Sequence, residues 1–211
     1  MDALVVGGSG LIGQSLVSKL LSRPEYGSVR VLVRRKTFAP HPKLHEVVVD
    51  FDELSDCLCQ AKHVFCTLGT TRNKAGSKEA FRLVDYEYPL KIAEKAKDQG
   101  TEVFSIVTSM GASSQSWFFY NQVKGEIEQK LVELNFPFLG IFRPSLLLGD
   151  RQEHRFGESI GQRVMEAIDF LLPASYKAIS VDHVADAMIQ YALHPSQGVT
   201  FIESDAMQPT P

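Results

Sequence analysis

The chain has 211 residues, 44% of them apolar and 22% charged, with a net charge of −3. This is an ordinary globular mix with enough apolar surface for a buried core. The charge offers no bulk attraction to nucleic acid or an anionic membrane, and no apolar run approaches the ~20 residues of a spanning helix, so neither partner is expected.

Asp2 follows Met1 directly, and the apolar run behind it stops at glycines after four residues. That reads as a buried strand, not a signal peptide, and a cytoplasmic location is expected. Leu11, Leu16, Leu20 and Leu21 then recur at helical spacing until Pro24 and Gly27. Val29–Val33 is a second strand, stopped by Arg34-Arg35-Lys36; Glu46–Val49 is a third and His63–Thr67 a fourth. Ser77–Lys97 reads as one long helix bent at Pro89. Val103–Val107 is a fifth strand. Trp117–Leu134 is a helix whose core stripe is Val123, Ile127, Leu131 and Leu134. Phe138–Phe142 is a sixth strand. A helix near Ile160–Leu171, a helix over Val181–Leu193 and a short strand over Val199–Ile202 complete the chain. Strands alternating with helices predict an α/β fold: a doubly wound, mostly parallel, Rossmann-like sheet with helices on both faces. Residues 1–211 are expected to form one domain, with 151–200 contributing a small C-terminal, substrate-side cap.

Cys57, Cys59 and Cys66 are an odd, closely spaced set. They make no disulfide framework and lack the ligand spacing of a metal site, so reduced, buried thiols are expected and no metal.

Gly7, Gly10 and Gly13 sit between the first strand and the first helix. Such glycines permit a tight turn, a close backbone approach to pyrophosphate and close helix–strand packing. The helix N-terminus would hold the anion, with Ser9, Leu11 and Ile12 completing the cradle; the rival reading is a bare structural turn. After the second strand, where an NAD site usually carries an acid, this chain has Arg34 and Arg35. Guanidinium groups suit a 2′-phosphate, which favours NADP(H) over NAD(H); the alternative is a solvated basic turn. Asp50 and Phe51 are placed to meet an adenine, and Thr67, Leu68, Gly69 and Thr70 to line the cofactor path.

Tyr120 and Lys124 are four residues apart and share a helix face. An ammonium beside a phenol favours the phenolate. A hydroxyl from Thr108 or Ser109, at the end of the fifth strand, would orient a carbonyl, and the sequence leaves both open. Together these groups suit hydride transfer coupled to proton transfer. Trp117, Phe118 and Phe119 either wall the substrate pocket or pack in the core. His154, His183 and His194 are scattered without ligand spacing, and Arg151–Arg155 reads as an exposed polar loop.

The chain resembles the atypical short-chain dehydrogenase/reductases, and within them the small Tat-interacting-protein-like oxidoreductases and their bacterial epimerase-like relatives. The resemblance is carried by Leu4–Gly13, Leu68–Arg72, Ala75–Ser77, Met110–Ala112, Phe119–Glu126, Arg143–Arg151 and Val181–Ala185. It implies a Rossmann-like fold, NADP(H) binding, the Ser/Thr–Tyr–Lys roles above, and Pro144 with the residues after it bordering the nicotinamide. The expected function is an NADP(H)-dependent oxidoreductase acting on a small carbonyl or alcohol, with Tyr120 as general acid/base and Lys124 as its tuner and ribose anchor. The alternative is a cofactor-sensing regulatory protein that docks a protein partner. An NAD-linked sugar epimerase or dehydratase shares the fold and the Tyr–Lys pair and is disfavoured by Arg34-Arg35 and the short C-terminal part.

Overall fold

Ala3 to Val6 are all 1% exposed or less. Such a run finds cover only in a strand with helices on both faces of its sheet. In the computed structural model, which describes residues 1–148 and 177–208, it is β1 (Asp2–Val6), an interior strand of a seven-stranded parallel sheet. The other strands are β2 (Ser28–Val33), β3 (Leu44–Val48), β4 (His63–Cys66), β5 (Val103–Val107), β6 (Phe138–Arg143) and β9 (Gly198–Glu203). Their order is β3-β2-β1-β4-β5-β6-β9. A parallel pair, β7 (Leu147–Leu148) and β8 (Ile179–Ser180), stands apart.

The chain winds outward from β1 through β2 to β3, then crosses back to place β4 on the other side of β1. This reversal opens a crevice at the carboxyl ends of β1 and β4, where open α/β sheets take their ligands. One sheet face is covered by α1 (Leu11–Ser22) and α6 (Val181–Leu193), through Leu16, Leu20, Val184 and Met188. The other is covered by α4 (Tyr88–Asp98) and α5 (Phe119–Glu133), through Ile92, Ala96, Ile127 and Leu131. The expected α5 stripe is therefore the packed one, with Leu134 partly buried beside it.

Several expectations change. The single helix over Ser77–Lys97 is two helices, α3 (Lys78–Arg82) and α4, joined by a π-helical turn at Leu83–Glu87. Pro89 supplies no N–H to the carbonyl four residues back, and Tyr88 N–H bonds five back to Leu83 instead. A short helix, α2 (Arg72–Ala75), precedes α3, capped by Thr71 at its start and by Gly76 at its end. The helix expected from Trp117 starts at Phe119, which leaves Trp117 fully exposed and Phe118 76% exposed. Neither belongs to the core, and neither lines the cleft over the crevice between β1 and β4. Cys57 is exposed, unlike Cys59 and Cys66. Of the expected cap, 151–176 lies outside the described residues, as do the Arg151–Arg155 loop and the helix near Ile160. Val181–Leu193 and Gly198–Glu203 belong to the helix-and-sheet body, packed against α1 and β6.

Candidate functional site

A cleft of about 520 Å³ lies over the crevice between β1 and β4. Its floor is the glycine turn. Gly7 has φ +88°, and a Cβ there would meet the Thr67 backbone at 2.5 Å. A Cβ on Gly13 would stand 2.2 Å from the Gly7 carbonyl oxygen. The two strand ends and α1 thus approach as closely as they do only because these residues lack side chains. Gly10 caps α1 without a side-chain hydrogen bond, and no acidic residue occupies the first turn. The opening N–H groups of Leu11, Ile12 and Gly13 have no intrahelical acceptor and point their positive ends at the cleft. These residues fit a pyrophosphate: donors, positive dipole end and no Cβ in the way.

The opposite wall is the loop after β4. Thr67, Leu68, Gly69 and Thr70 line the cleft, followed by Thr71 and the exposed Lys74. The far end holds Thr108 from β5 and Tyr120 and Lys124 from α5. Tyr120 is 36% exposed and packs on Phe81, with ring centroids 5.5 Å apart. Gly125 fixes α5 close to the loop after β5, because a Cβ there would lie 2.2 Å from the backbone at Ser113 and Ser114.

Tyr120, Lys124 and Glu128 follow one another at four-residue spacing on α5, and the last two are buried. Lys124 Nζ pairs with Asp85 Oδ1 at 2.8 Å. Burial acts to lower the Lys124 pKa, but the Asp85 carboxylate and then Tyr120 oppose it, and the net direction is upward. Glu128 grips Arg143 of β6 in a two-point contact at 2.6 and 3.0 Å, and accepts the Thr108 hydroxyl at 2.6 Å. Arg143 in turn reaches Glu203 of β9 at 2.9 Å. This network joins α5 to three strands and commits the Thr108 proton. Ser109 Oγ is buried with no hydrogen-bond partner among the described residues.

Of the site residues expected from sequence, the cleft therefore gathers Ser9, Gly10, Leu11, Ile12, Thr67, Leu68, Gly69, Thr70, Thr108, Tyr120 and Lys124. Gly7 and Gly13 shape it from beneath. Arg34 and Arg35 are exposed just beyond β2, outside its lining. Asp50 is exposed and accepts the Asp52 N–H at 2.9 Å to form a turn. The Phe51 ring is not free for an adenine: it is 7% exposed, set in the core with Leu4 and Leu32 and packed on Tyr88. Pro144 is buried behind the site, where its carbonyl accepts the Met110 N–H at 3.0 Å. Sequence reasoning missed Asp85 and Glu128. Their signal is a carboxylate on an apolar helix face, as in Leu83-Val84-Asp85 and Ile127-Glu128.

An NAD(P)H-binding family model matches residues 7–135, more than half of the chain. Protein HTATIP2 of Rattus norvegicus is 39% identical over 203 residues, covering 93% of this chain and 83% of the relative. Protein FMP52, mitochondrial, of Meyerozyma guilliermondii is 36% identical over 203 residues, covering 92% and 87%. Its namesake in Candida albicans is 36% identical over 172 residues, covering 78% and 75%. The mitochondrial designation of these relatives overturns the expectation of a cytoplasmic location. Among solved structures, MoeE5 in complex with UDP-glucose and NAD aligns with a TM-score of 0.72 at 16% identity, covering 98% of this chain and 79% of that one. A UDP-glucose 4-epimerase from Thermotoga maritima aligns with a TM-score of 0.70 at 16% identity, covering 96% and 77%. At such identities the likeness shows the Rossmann-like fold alone. The glycine cradle, the family match and the close relatives agree: the chain belongs to the NAD(P)H-binding family and is a homologue of HTATIP2.

Proposed function

We propose that the protein is an NADP(H)-dependent oxidoreductase that interconverts a small carbonyl compound and its alcohol. The observation that carries this reading is the meeting of Tyr120 and Lys124 with the glycine cradle in one cleft. The bound nicotinamide would supply or accept the hydride. The α1 N-terminus would hold the pyrophosphate, and Arg34 and Arg35, exposed beyond β2, would close on the 2′-phosphate.

Tyr120 is the general acid toward a carbonyl oxygen and the general base toward an alcohol. Lys124 keeps a cation beside it and retains donors for a ribose hydroxyl after pairing with Asp85. The carbonyl orienter is the hydroxyl of Thr108 or of Ser109: Thr108 lines the cleft, whereas Ser109 stands outside its lining. A hydroxyl must have a free proton to donate, and the Thr108 proton goes to Glu128 while Ser109 Oγ has no acceptor.

Turnover of a panel of aldehydes and ketones with NADPH tests the assignment. Tyr120→Phe should lower kcat by about a hundredfold or more while NADPH affinity stays the same, and whichever of Ser109→Ala and Thr108→Val lowers kcat more marks the orienting hydroxyl. Wild-type turnover in Tyr120→Phe would defeat the mechanism.

A further inference from the structure

The π-helical turn between α3 and α4 has a consequence for the cleft. It brings Asp85, a carboxylate 1% exposed, against the one lysine of α5 that is buried. Asp85 Oδ1 lies 2.8 Å from Lys124 Nζ, and Asp85 Oδ2 accepts the Thr70 N–H at 2.9 Å. The loop passes directly over this pair: a Cβ on Gly69 would stand 3.4 Å from Asp85 Oδ1 and 3.7 Å from Lys124 Nζ. One carboxylate thus binds the lysine of the Tyr120–Lys124 pair with one oxygen and the cleft's loop with the other.

We infer that Asp85 is a positioning residue, which fixes the Lys124 ammonium and the Thr67–Thr71 loop relative to each other so that both meet the bound dinucleotide in register. The inference rests on the NADP(H) reading of the cleft and adds to it a residue that touches neither cofactor nor substrate.

The physical argument is one of charge and alternatives. A lone ammonium in a buried site is strongly disfavoured and sheds its proton instead. Among the described residues, three titratable groups face Lys124. Asp85 comes from the π turn, Tyr120 from the preceding turn of α5, and Cys66 from the end of β4. Burial pushes the Cys66 thiol up to about 11, so it stays neutral and cannot balance a cation. Asp85 is thus the partner that keeps the ammonium charged. Asp85 meets Nζ as an ion pair through one oxygen, and Nζ has donors for a ribose hydroxyl and the phenol. The π turn is what permits this: a regular helix through Pro89 would rotate residue 85 away from its present bearing on α5.

The test is NADPH titration, followed by cofactor fluorescence between about pH 7 and about pH 9, on the unchanged protein, Asp85→Asn, Lys124→Met and the double variant. Asn keeps the shape and the acceptor for Thr70 but removes the charge. Affinity should be flat with pH in the unchanged protein. In Asp85→Asn it should fall by about tenfold or more and weaken further as pH rises, since the unpaired ammonium is lost. On the Lys124→Met background the same substitution should cost less than about twofold and show no pH dependence. A merely structural role would cost the same in both backgrounds, and that result, or an Asp85→Asn variant with unchanged affinity, would overturn the inference. If Asp85→Asn does not fold, the double variant should, because it lacks the stranded ammonium; failure of both would also overturn it. Absence of NADPH binding by the unchanged protein would instead overturn the cofactor reading, and this inference with it.

Discussion

Gly13 is the position where the geometry of the cradle can be converted into an expected energy. Replacing it by alanine sets two effects against each other. It lies inside α1, where alanine is favoured over glycine by about 1 kcal/mol. The new Cβ, however, would stand 2.2 Å from Gly7 O, 2.7 Å from Gly8 Cα and 2.9 Å from Gly7 C, all of them backbone atoms. No rotamer relieves a clash with backbone, so α1 must move off the turn by roughly 1 Å. Overpacking of this kind costs about 1–3 kcal/mol, and a contact as short as 2.2 Å belongs at the upper end. The net expectation is a loss of about 2 kcal/mol, or a fall in Tm of about 4–8 °C for a chain of this size. Gly27→Ala serves as the control. A Cβ at Gly27 meets nothing within 4 Å, so that substitution should be neutral or stabilising by a few tenths of a kcal/mol. Urea unfolding of the two variants, with NADPH titration of each, reads both consequences. A Gly13→Ala variant as stable as Gly27→Ala, with unchanged affinity for NADPH, would refute the reasoning.

Three further outcomes follow from the same structure. Glu128→Ala leaves Arg143 with Glu203 alone and Thr108 without its acceptor, so urea unfolding should show a loss of about 3 kcal/mol; a loss below 1 kcal/mol would deny the network its role. His63 is buried beside Tyr26, with Nδ1 2.9 Å from the hydroxyl, and burial followed by Lys62 lowers its pKa from 6.5 to about 4. The folded state therefore binds fewer protons than the unfolded one, and this contribution is complete above pH 6.5 and is lost as pH falls toward 4. Allowing for solvent screening, it amounts to about 1–2 kcal/mol, and a His63→Asn variant should show a correspondingly flatter stability profile over that window. Gly125→Ala, whose Cβ would meet the Ser113 and Ser114 backbone at 2.2 Å, should lower both Tm and turnover because it pushes α5 away from the loop after β5.

The fold and half of the site are legible from local pattern. Ala3–Val6 before a glycine turn, and the Val123–Ile127–Leu131 stripe, depend on residues next to one another in sequence. Tyr120 and Lys124 are legible for the same reason, being one helical turn apart. Asp85 and Glu128 are not, because what makes them matter comes from elsewhere in the chain: Lys124, the Thr70 N–H, Arg143 and the Thr108 hydroxyl. The π turn hides behind Pro89, whose missing N–H reads equally well as a bend within one helix. Phe51 illustrates the reverse error. A ring just after a strand suits an adenine until the core beneath Leu4 and Leu32 is seen to need it. Trp117 and Phe118 look like helix residues until the helix begins two residues later and leaves both in solvent.

The claim on which the rest depends is that the cleft between β1 and β4 takes a phosphorylated nicotinamide dinucleotide. Calorimetric titration with NADPH and with NADH, on the unchanged protein and on an Arg34→Ala, Arg35→Ala variant, tests it most directly. Saturable binding of NADPH, tighter than that of NADH and weakened by about tenfold or more in the variant, is the predicted result. Equal affinity for the two nucleotides in both proteins would contradict the NADP(H) preference, and saturable binding of neither would contradict the site itself.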